Sequence, residues 1–503
     1  ACAFLHRTER IAARVLQSRS DFGGAAARLR QAAARSAGAA RLADQLEAAE
    51  LLLQQGDYQG AAAGFAPLTD TLGSVGARAE VGAAYCAFEL GDDAQCQRWL
   101  DRALAREPAG PEHAEAQALR AAWLQRGERW VAAAAAAERF LAAHGEHPKA
   151  PALRLLCGIA KARAGAHQEA AAVLAALLDA GGGPEPVRAA YELAWARRRA
   201  GDEAAALAAF ARTVALGKEG ELVAEAHLHL LVAALGRGDL AAAAAELPGV
   251  RGVHRGAALC QLAFAEFAAA GADPAALAPV RARCQELVAL ANEPLVADGL
   301  FLLALCEERL GAAVAAIPPL QRLLAEFPGH ARTAAAQLLL GGCAVAAGAA
   351  DAALPPLDAL LGTADVPPAE AARAHLLRGR ARLLRREAER AEADFARAKS
   401  LSEGALGAEA QFRIGEARLL RGDLAAAADA FVALPILYQH PEWVARGLWQ
   451  AGLAYEQLQQ PEPARRFFRE LVERCPESAE ATLARQKLGV DAPAPTPGRT
   501  GPR

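Results

Sequence analysis

The feature that most constrains this chain is a short pattern that recurs thirteen times along its 503 residues. Successive copies are 33 to 40 residues apart, and most of the intervals are 36 to 38. Each copy begins at a turn residue, usually glycine, and such a period indicates repeated supersecondary units, not unrelated domains. The turn positions are Ser20, Gly56, Gly91, Gly127, Gly165, Gly201, Gly238, Gly271, Gly311, Gly348, Arg386, Gly422 and Gln459.

Two further positions lie at a fixed distance from the turn in every copy. Each such position, compared across the thirteen copies, is called a column below. The residue five positions later is alanine in twelve copies and Cys96 in the third. The residue nine positions later is always apolar: Leu29, Phe65, Leu100, Ala136, Leu174, Phe210, Leu247, Val280, Leu320, Leu357, Phe395, Phe431 and Phe468. Seven positions before the turn most copies carry glycine or alanine, and Arg120, Leu231 and Phe264 break that column.

This pattern predicts a helical hairpin. Alanine, leucine, arginine and glutamate are strong helix formers and dominate a chain with only 5% aromatic residues. Glycine ends the first helix, helix A, because it adopts a positive φ without a Cβ clash. Small residues let helix A approach the second helix, helix B, and the large apolar residue then fills the remaining gap. One hairpin cannot bury both of its apolar faces, so the hairpins must stack.

Two proline pairs interrupt this pattern at the repeat interval. Pro318-Pro319 and Pro355-Pro356 are 37 residues apart, and both pairs fall early in helix B, as Pro279 does in the preceding copy. Because proline lacks an amide proton and crowds the carbonyl four residues back, these B helices are expected to start late or to bend. The alternatives are tolerated drift near a helix start and a change in the curvature of the array.

The segment GLAYEQLQQPEPARRFFRELVERCP, residues 452–476, carries glycine, tyrosine, alanine, phenylalanine and proline in register with the repeat. In these residues, and in its period, the chain resembles the tetratricopeptide repeat superfamily over nearly its whole length. Loops such as EFPGHARTA are similar to those of bacterial envelope-associated members, including Tol–Pal coordinators and outer-membrane assembly lipoproteins.

The resemblance and the period together predict an all-α, right-handed α-solenoid of about thirteen antiparallel helix-turn-helix repeats. Residues 1–489 are expected to form one array, closed by a helix that Ser478 caps and Gly489 ends. The tail, residues 490–503, is rich in proline and lacks an apolar pattern, so it is expected to be disordered.

The sequence offers no catalytic constellation and implies no cofactor or metal. It lacks a nucleophile elbow, a phosphate loop and the zinc motif H-E-x-x-H. His144 and His147 have no evident third ligand, and His227 and His229 fall on different sides of a helix. The nine cysteines include no C-x-x-C pair and are interpreted as small packing residues. Their usage favours a reducing compartment such as the cytoplasm, whereas the envelope likeness favours the periplasm.

Charge and hydropathy narrow the class of partner. The net charge of −3 argues against a nucleic-acid binder, and no segment has the pattern of a membrane span. The first 41 residues are the exception, with eight arginines against Glu9 and Asp21. Arg7, Arg10 and Arg14 share one helical face, which is either a solvated end of the array or a site for an acidic partner.

The resemblance implies a groove lined by helix A, roughly at its second, fifth, ninth, twelfth and thirteenth positions. Carried over to this chain, those positions are Arg188, Tyr191, Trp195, Arg198 and Arg199 in one copy, and include Arg373 and Arg380 in another. The pattern of lysine and asparagine that clamps a peptide C-terminus in some members is absent. An aromatic residue flanked by cations suits an acidic peptide with an apolar anchor. The alternative is that the arginines are solvated and Trp195 is half-buried packing.

The sequence therefore predicts a non-catalytic scaffold or adaptor that binds a protein or peptide partner in this groove. Two alternatives remain open. The chain could be the repeat segment of a larger regulator or enzyme, such as a kinase or transferase, with an upstream catalytic domain. It could also be a structural subunit of an assembly.

Overall fold

The computed structural model describes residues 2–106, 111–290 and 295–489. These residues are almost entirely helical and contain no strand. The chain divides into two compact units, Ala1–His254 and Arg255–Arg503. The fourteen helices of the first unit are α1 Cys2–Ser18, α2 Phe22–Ala33, α3 Gly38–Gln55, α4 Tyr58–Phe65, α5 Ser74–Leu90, α6 Asp93–Ala105, α7 Pro111–Arg126, α8 Trp130–Ala143, α9 Ala150–Arg163, α10 His167–Asp179, α11 Pro186–Arg199, α12 Glu203–Leu216, α13 Glu221–Gly236 and α14 Leu240–Glu246.

The second unit contains another fourteen helices over its described residues. They are α15 Arg255–Ala270, α16 Pro274–Ala289, α17 Val296–Arg309, α18 Ala313–Glu326, α19 Thr333–Ala346, α20 Ala350–Leu361, α21 Pro368–Leu384, α22 Ala388–Leu401, α23 Gly404–Arg421, α24 Leu424–Val432, α25 Leu434–Leu437, α26 Pro441–Gln457, α27 Pro461–Arg474 and α28 Ala479–Leu488. Odd and even helices pair as A and B from α1 to α22. After these, α23 pairs with α24 and the short α25, and α26 pairs with α27. The expected all-α helical repeat is confirmed.

The turn column has the backbone conformation that the repeat requires. Twelve of the thirteen turn residues have a positive φ between 56° and 89°. Ser20, Arg386 and Gln459 adopt it despite their Cβ atoms, so the position in the repeat determines the conformation. In the fourth hairpin the prediction was one residue early, because Gly127 still donates to Trp123 O and Glu128 makes the turn at a φ of 55°.

The two columns of helix B are buried as predicted in most hairpins. In the fourth, the one-residue shift buries Ala133 and leaves Ala132 exposed. The eighth departs because one additional residue precedes the N-cap Asp273, so Leu277 occupies the place expected for Ala276. The apolar residue nine positions after the turn is buried in every copy.

Large residues of helix B pack onto glycines of helix A in the same hairpin. A Cβ built on Gly158 would lie 2.5 Å from Leu174 Cγ, and one on Gly415 would lie 2.4 Å from Phe431 Cε1. Gly341, Gly379 and Gly452 have the same relation to the residue nine positions after their turn. The large residue therefore fills the space left by the glycine within its own hairpin, not only the gap toward the next one.

The proline pairs do not delay helix B. Helices α18 and α20 begin two residues after Gly311 and Gly348, as α12 does after Gly201, and both continue through their prolines. The expectation of a late start is wrong. The first turn adapts: Ala315 N and Ala316 N both donate to Ala312 O, and the first turn of α20 repeats the arrangement. The residues whose carbonyls lose an amide partner lie four positions before the prolines. Val314, Ala315 and Asp351 are exposed and Ala352 is partly exposed, so water can reach this side of each helix.

The closing helix is confirmed in detail. Ser478 Oγ accepts from Ala481 N at 3.0 Å, and Gly489 ends α28 with a φ of 68°. The expectation of a disordered tail at residues 490–503 falls outside the described residues. The single array expected over 1–489 stays a prediction.

The cysteines are packing residues in the part of the chain that the structure describes. All eight described cysteines are buried and free, and Cys2 lies outside the described side chains. Burial raises the pKa of the Cys86 thiol to about 12 and that of Cys306 and Cys343 to about 11. These thiols are therefore protonated at neutral pH.

Candidate functional site

The A helices of neighbouring hairpins contact one another along the first unit, from α3 through α13. The predicted groove residues lie on this row of A helices. Arg188, Tyr191, Trp195, Arg198 and Arg199 all belong to α11, as the repeat frame requires. Arg373 and Arg380 lie on α21, in the second unit, and their surroundings are described separately below.

A cavity of about 170 Å³ lies between α9 and α11. Its lining includes three of the predicted residues, Tyr191, Trp195 and Arg199. The remaining lining residues are Ala162, Arg163, Glu192 and Ala196. Arg163 and Arg199 are both exposed, and neither forms an ion pair within the described part of the chain.

Trp195 is half-buried in an aromatic cluster. Its ring meets Phe210 edge-on at 6.1 Å and His229 at 5.0 Å, and Tyr191 lies 6.5 Å away. Packing against Phe210 fixes the indole in the wall of the cavity. Trp195 thus contributes to the fold as well as to the cavity surface.

The arginines of α11 differ in their availability. Arg198 donates to both carboxylate oxygens of Glu203, at 2.8 and 3.1 Å, and to His229 Nδ1 at 3.0 Å. Arg188 forms an ion pair with Glu185 at 3.3 Å. Both guanidinium groups already have partners inside the molecule. The cations available at the cavity are therefore Arg199 and Arg163.

Three ionisable groups near the cavity have shifted pKa values. Burial raises the pKa of Glu192, and Arg163, Arg188 and Arg199 oppose that rise. Burial, followed by the nearby Glu225, raises the pKa of the Tyr191 phenol. Burial and the adjacent Arg198 lower the pKa of His229, so its imidazole is neutral at physiological pH.

Sequence reasoning missed Arg163 and Glu192, although a readable signal was present for the first. Arg163 is the thirteenth position of helix A counted from Pro151, which is the frame used for α11. Applied to α5, the same frame selects Arg78, Val81, Tyr85, Phe88 and Glu89. Those five residues line two further cavities, of about 300 and 270 Å³, between α5 and its neighbouring A helices.

These two cavities differ in chemistry from the one at α11. Val81 lines both, and leucines of α3, α7 and α9 complete the apolar walls. Glu50 is paired with Arg78 at 2.6 Å, and Glu115 is paired with Lys149. The cavities between α5 and α9 are thus mainly apolar, whereas the cavity at α11 has two arginines and Glu192 in its lining.

The second-unit candidates have separate surroundings. Arg380 lies 3.8 Å from Glu409 of the next A helix, and Arg373 is exposed. Arg378 and Arg382, on the same helix, bind the buried Asp394 at 2.6 and 2.7 Å. This buried cluster stabilises the hairpin and offers no free group to a ligand.

No metal site or membrane span emerges from the described residues. They contain no group of three or more His, Cys, Asp or Glu side chains placed to hold a metal ion. His144 and His147 both pack on Phe140, at ring distances of 5.4 and 5.5 Å. Within the described ranges, no helix is both long enough and apolar enough to span a bilayer.

Comparisons with known proteins agree with the repeat. One family model, described as Tetratricopeptide repeat, matches residues 124–185, 155–221 and 285–331, and a second with the same description matches 446–478. No curated protein matches the chain. Together with the hairpins, the matches define a helical-repeat protein of the protein-interaction class. Within the matched segments the chain carries repeats of the tetratricopeptide kind.

Solved structures similar to the chain include three proteins of low identity. The structure titled "Crystal structure of APC/C hetero-tetramer Cut9-Hcn1" is 13% identical, covers 96% of both chains and has a TM-score of 0.33. Yeast Tom70 is 11% identical over 91% of this chain and 97% of its own, with a TM-score of 0.30. MamA is 20% identical over 34% of this chain and 94% of its own, also with a TM-score of 0.30.

Proposed function

We propose that the protein is a non-catalytic scaffold that binds a protein or peptide partner along the A helices of its first unit. The observation that carries this proposal is the cavity between α9 and α11. There a tryptophan fixed by packing lies with two exposed arginines that form no ion pair in the described structure, Arg163 and Arg199. Rigid aromatic side chains and arginines are the residues that dominate binding energy at protein interfaces.

The cavity suits an acidic segment with an apolar anchor. Guanidinium groups bind carboxylates through paired hydrogen bonds, and the indole edge offers apolar contact between them. Glu192 also lines the cavity, and when charged it opposes the binding of a carboxylate close to it. The apolar cavities between α5 and α9 would then receive hydrophobic residues elsewhere in the partner.

A peptide selection tests this proposal. A random 16-residue library is displayed and selected on the full chain, and the Kd of the best peptide is measured by fluorescence anisotropy. We expect enrichment of Asp and Glu around an aromatic or aliphatic residue. Reversing both cavity charges, Arg163→Glu with Arg199→Glu, should weaken that peptide by about tenfold or more.

The matched control reverses two exposed arginines on B helices of the same unit, Arg98→Glu with Arg139→Glu. The control should leave the Kd within about twofold, since it changes net charge equally and leaves the cavity intact. Selection of basic peptides, or equal weakening by both double variants, would contradict the proposal. One alternative from the sequence, a purely structural assembly subunit, predicts no charge-selective peptide at this cavity.

A further inference from the structure

The surface of α5 repeats the layout of the α11 cavity with the opposite charge. Tyr85 and Trp195 are each six residues before the turn of their hairpin. Glu89 and Arg199 are each two residues before it. Tyr85 and Glu89 line the cavity of about 270 Å³ between α5, α7 and α9, as the second pair lines the cavity at α11. Equivalent positions of the repeat therefore combine an aromatic side chain with a carboxylate in one hairpin and with a guanidinium group in the other.

Two carboxylates at the α5 cavities, the pair of about 300 and 270 Å³ described above, have no partner of opposite charge. Glu89 is exposed, and Glu112, in the lining of the larger cavity, is partly exposed. Neither forms an ion pair with any residue of the described ranges. The other two carboxylates of these linings, Glu50 and Glu115, are each paired with a cation.

The corresponding cation of α7 is already bound. Arg126 is two residues before the turn at Glu128, so it holds the position that Glu89 holds in α5. Its guanidinium donates to Phe88 O, lies 3.7 Å from Asp93 and stacks on the Phe88 ring at 3.7 Å. The unpaired charge at the α5 cavities is therefore negative, whereas the unpaired cations lie between α9 and α11.

The side chains around the carboxylates suit a basic residue next to aliphatic ones. Tyr85 is 38% exposed, and an aromatic face beside a carboxylate attracts Lys or Arg through both its quadrupole and the charge. Val81 lines both cavities, and Leu53 and Leu156 each contribute to one. These apolar walls favour the burial of aliphatic side chains.

Helix α9 forms a wall of both sites and sets the distance between them. Leu156 lines an α5 cavity, on the side of α9 toward α7, and Arg163 lines the α11 cavity, on the other side. Seven residues of helix span about 10 Å along its axis. Crossing to the other side of α9 adds about another 10 Å. The two sites are therefore roughly 14 Å apart, which four or five residues of extended chain cover.

We propose that the α5 cavities bind a basic, apolar segment of the same partner whose acidic segment binds at α11, with about five residues between the two segments. A lysine or arginine covers Tyr85 and pairs with Glu89 or Glu112, and aliphatic side chains enter the cavities. The inference rests on the proposed function for the acidic segment alone, because the α5 cavities have their own walls and their own unpaired charges.

The first experiment tests the basic segment by itself. A ten-residue peptide with three lysines alternating with leucines is compared with its glutamine counterpart by fluorescence anisotropy on the full chain, at about 50 mM salt. The lysine peptide should bind about fivefold or more tightly than the glutamine peptide, and Glu89→Gln with Glu112→Gln should remove most of that difference. It should bind more weakly than the acidic peptide, because each α5 cavity has one unpaired charge and the α11 cavity has two cations.

The matched control neutralises two exposed glutamates of the same unit that lie outside the cavities, Glu146→Gln with Glu221→Gln. It should change the Kd of the lysine peptide by less than about twofold, since it alters net charge equally. Arg163→Gln with Arg199→Gln should also leave this Kd within about twofold, because the α11 cations are not part of the α5 cavities.

The second experiment joins the lysine peptide to the acidic peptide selected at α11, at either terminus, through a spacer of two or five residues. In one of the two orders, the five-residue spacer should tighten binding at least about tenfold over the acidic peptide alone. The two-residue spacer should give a smaller gain, because it is too short to span the two sites.

Equal Kd values for the lysine and glutamine peptides would overturn the inference, as would a difference that Glu89→Gln with Glu112→Gln leaves unchanged. Separate binding of the two peptides without a gain on joining, in either order, would contradict a single partner that spans both sites. If the acidic peptide fails to bind while the lysine peptide binds and depends on Glu89 and Glu112, the proposed function fails at α11 and the basic site at α5 is supported.

Discussion

Gly341 and Gly342 are adjacent in α19, but only the first has another side chain where its Cβ would lie. A Cβ on Gly341 would be 2.6 Å from Leu357 Cγ, whereas one on Gly342 would have only Leu377 Cδ1 within reach, at 3.8 Å. Gly341→Ala should therefore destabilise the protein by about 1 to 3 kcal/mol, through forced displacement of a buried leucine. Gly342→Ala should stabilise it by about 0.5 to 1 kcal/mol, since alanine is the better helix former. Urea unfolding measures both, and equal effects would contradict the packing described here.

Glu192 should make stability depend on pH. Burial raises the pKa of its carboxyl in the folded state above the value in the unfolded chain, so the folded protein binds this proton more tightly. The destabilisation is fully present above the folded pKa and disappears as the pH falls below the unfolded one. Glu192→Gln should thus raise the Tm at pH 7.5 and give no increase at pH 4.

The control for this prediction is Glu473→Gln at an exposed site on α27, which should leave the Tm nearly unchanged at both pH values. If Glu192→Gln raises the Tm equally at pH 4 and pH 7.5, the charged carboxylate is not the cause of the destabilisation. Differential scanning fluorimetry over that range is sufficient.

Counting along helix A predicted three residues that line the cavity at α11, but it could not show which side chains there are free of other partners. The repeat frame placed Trp195 and Arg199 on the cavity, because both follow from counting along helix A. It could not show that Arg198 is held by Glu203 and His229, because those partners come from α12 and α13. Arg163 occupies in α9 the same position that Arg199 occupies in α11, so the repeat frame alone is enough to select it.

At the scale of helices, turns were more predictable than helix starts. Ser20, Arg386 and Gln459 adopt a positive φ where the period requires it, so the period is a better guide than residue type. Gly127 shows the reverse: its residue type suggested the turn, but α7 continues to Arg126 and Glu128 turns the chain. The prolines do not delay α18 and α20, because the residues four positions before them are exposed or partly exposed and water can replace the lost amide donor.

The helices that contain the prolines should gain stability from alanine. Each interior proline removes an amide hydrogen bond, and in a helix interior this costs about 3 kcal/mol relative to alanine, partly offset by the stiffer unfolded chain. Pro318→Ala with Pro319→Ala should therefore raise both the Tm and the helical circular dichroism signal. Pro367, outside a helix before α21, is the control position for Pro→Ala. A lower Tm for the α18 variant would indicate that its prolines are required by the packing.

At the scale of the whole molecule, the period and the burial of the repeat columns were readable from one sequence. The division into Ala1–His254 and Arg255–Arg503 was not, because the repeat pattern continues through residue 254. The sequence also did not predict the apolar cavities between α5 and α9, since these cavities depend on the spacing of neighbouring A helices. Stacking, not local sequence, determines such spaces.

The reactivity of the cysteine thiols tests how the whole chain is packed. The eight described cysteines are buried, and burial raises their pKa values, so they should not react with a thiol reagent at pH 8 while the protein is folded. Titration in guanidinium should find nine thiols, the full number in the sequence. A count near seven would reveal a disulfide and contradict the interpretation of the cysteines as packing residues.

Whether the partner binds at the α11 cavity is tested by the affinity of the selected peptide for Trp195→Ala, measured per folded molecule. Trp195 packs on Phe210, so the variant will lose some stability, and the folded fraction must be determined by circular dichroism. Trp449→Ala is the matched control: Trp449 is also half-buried on a helix A and packs on Phe468 at 5.3 Å, but in the second unit. We predict that Trp195→Ala loses about 2 kcal/mol or more of binding free energy and that Trp449→Ala loses less than about 0.5 kcal/mol. Unchanged affinity of folded Trp195→Ala would contradict the account and place the partner on another surface.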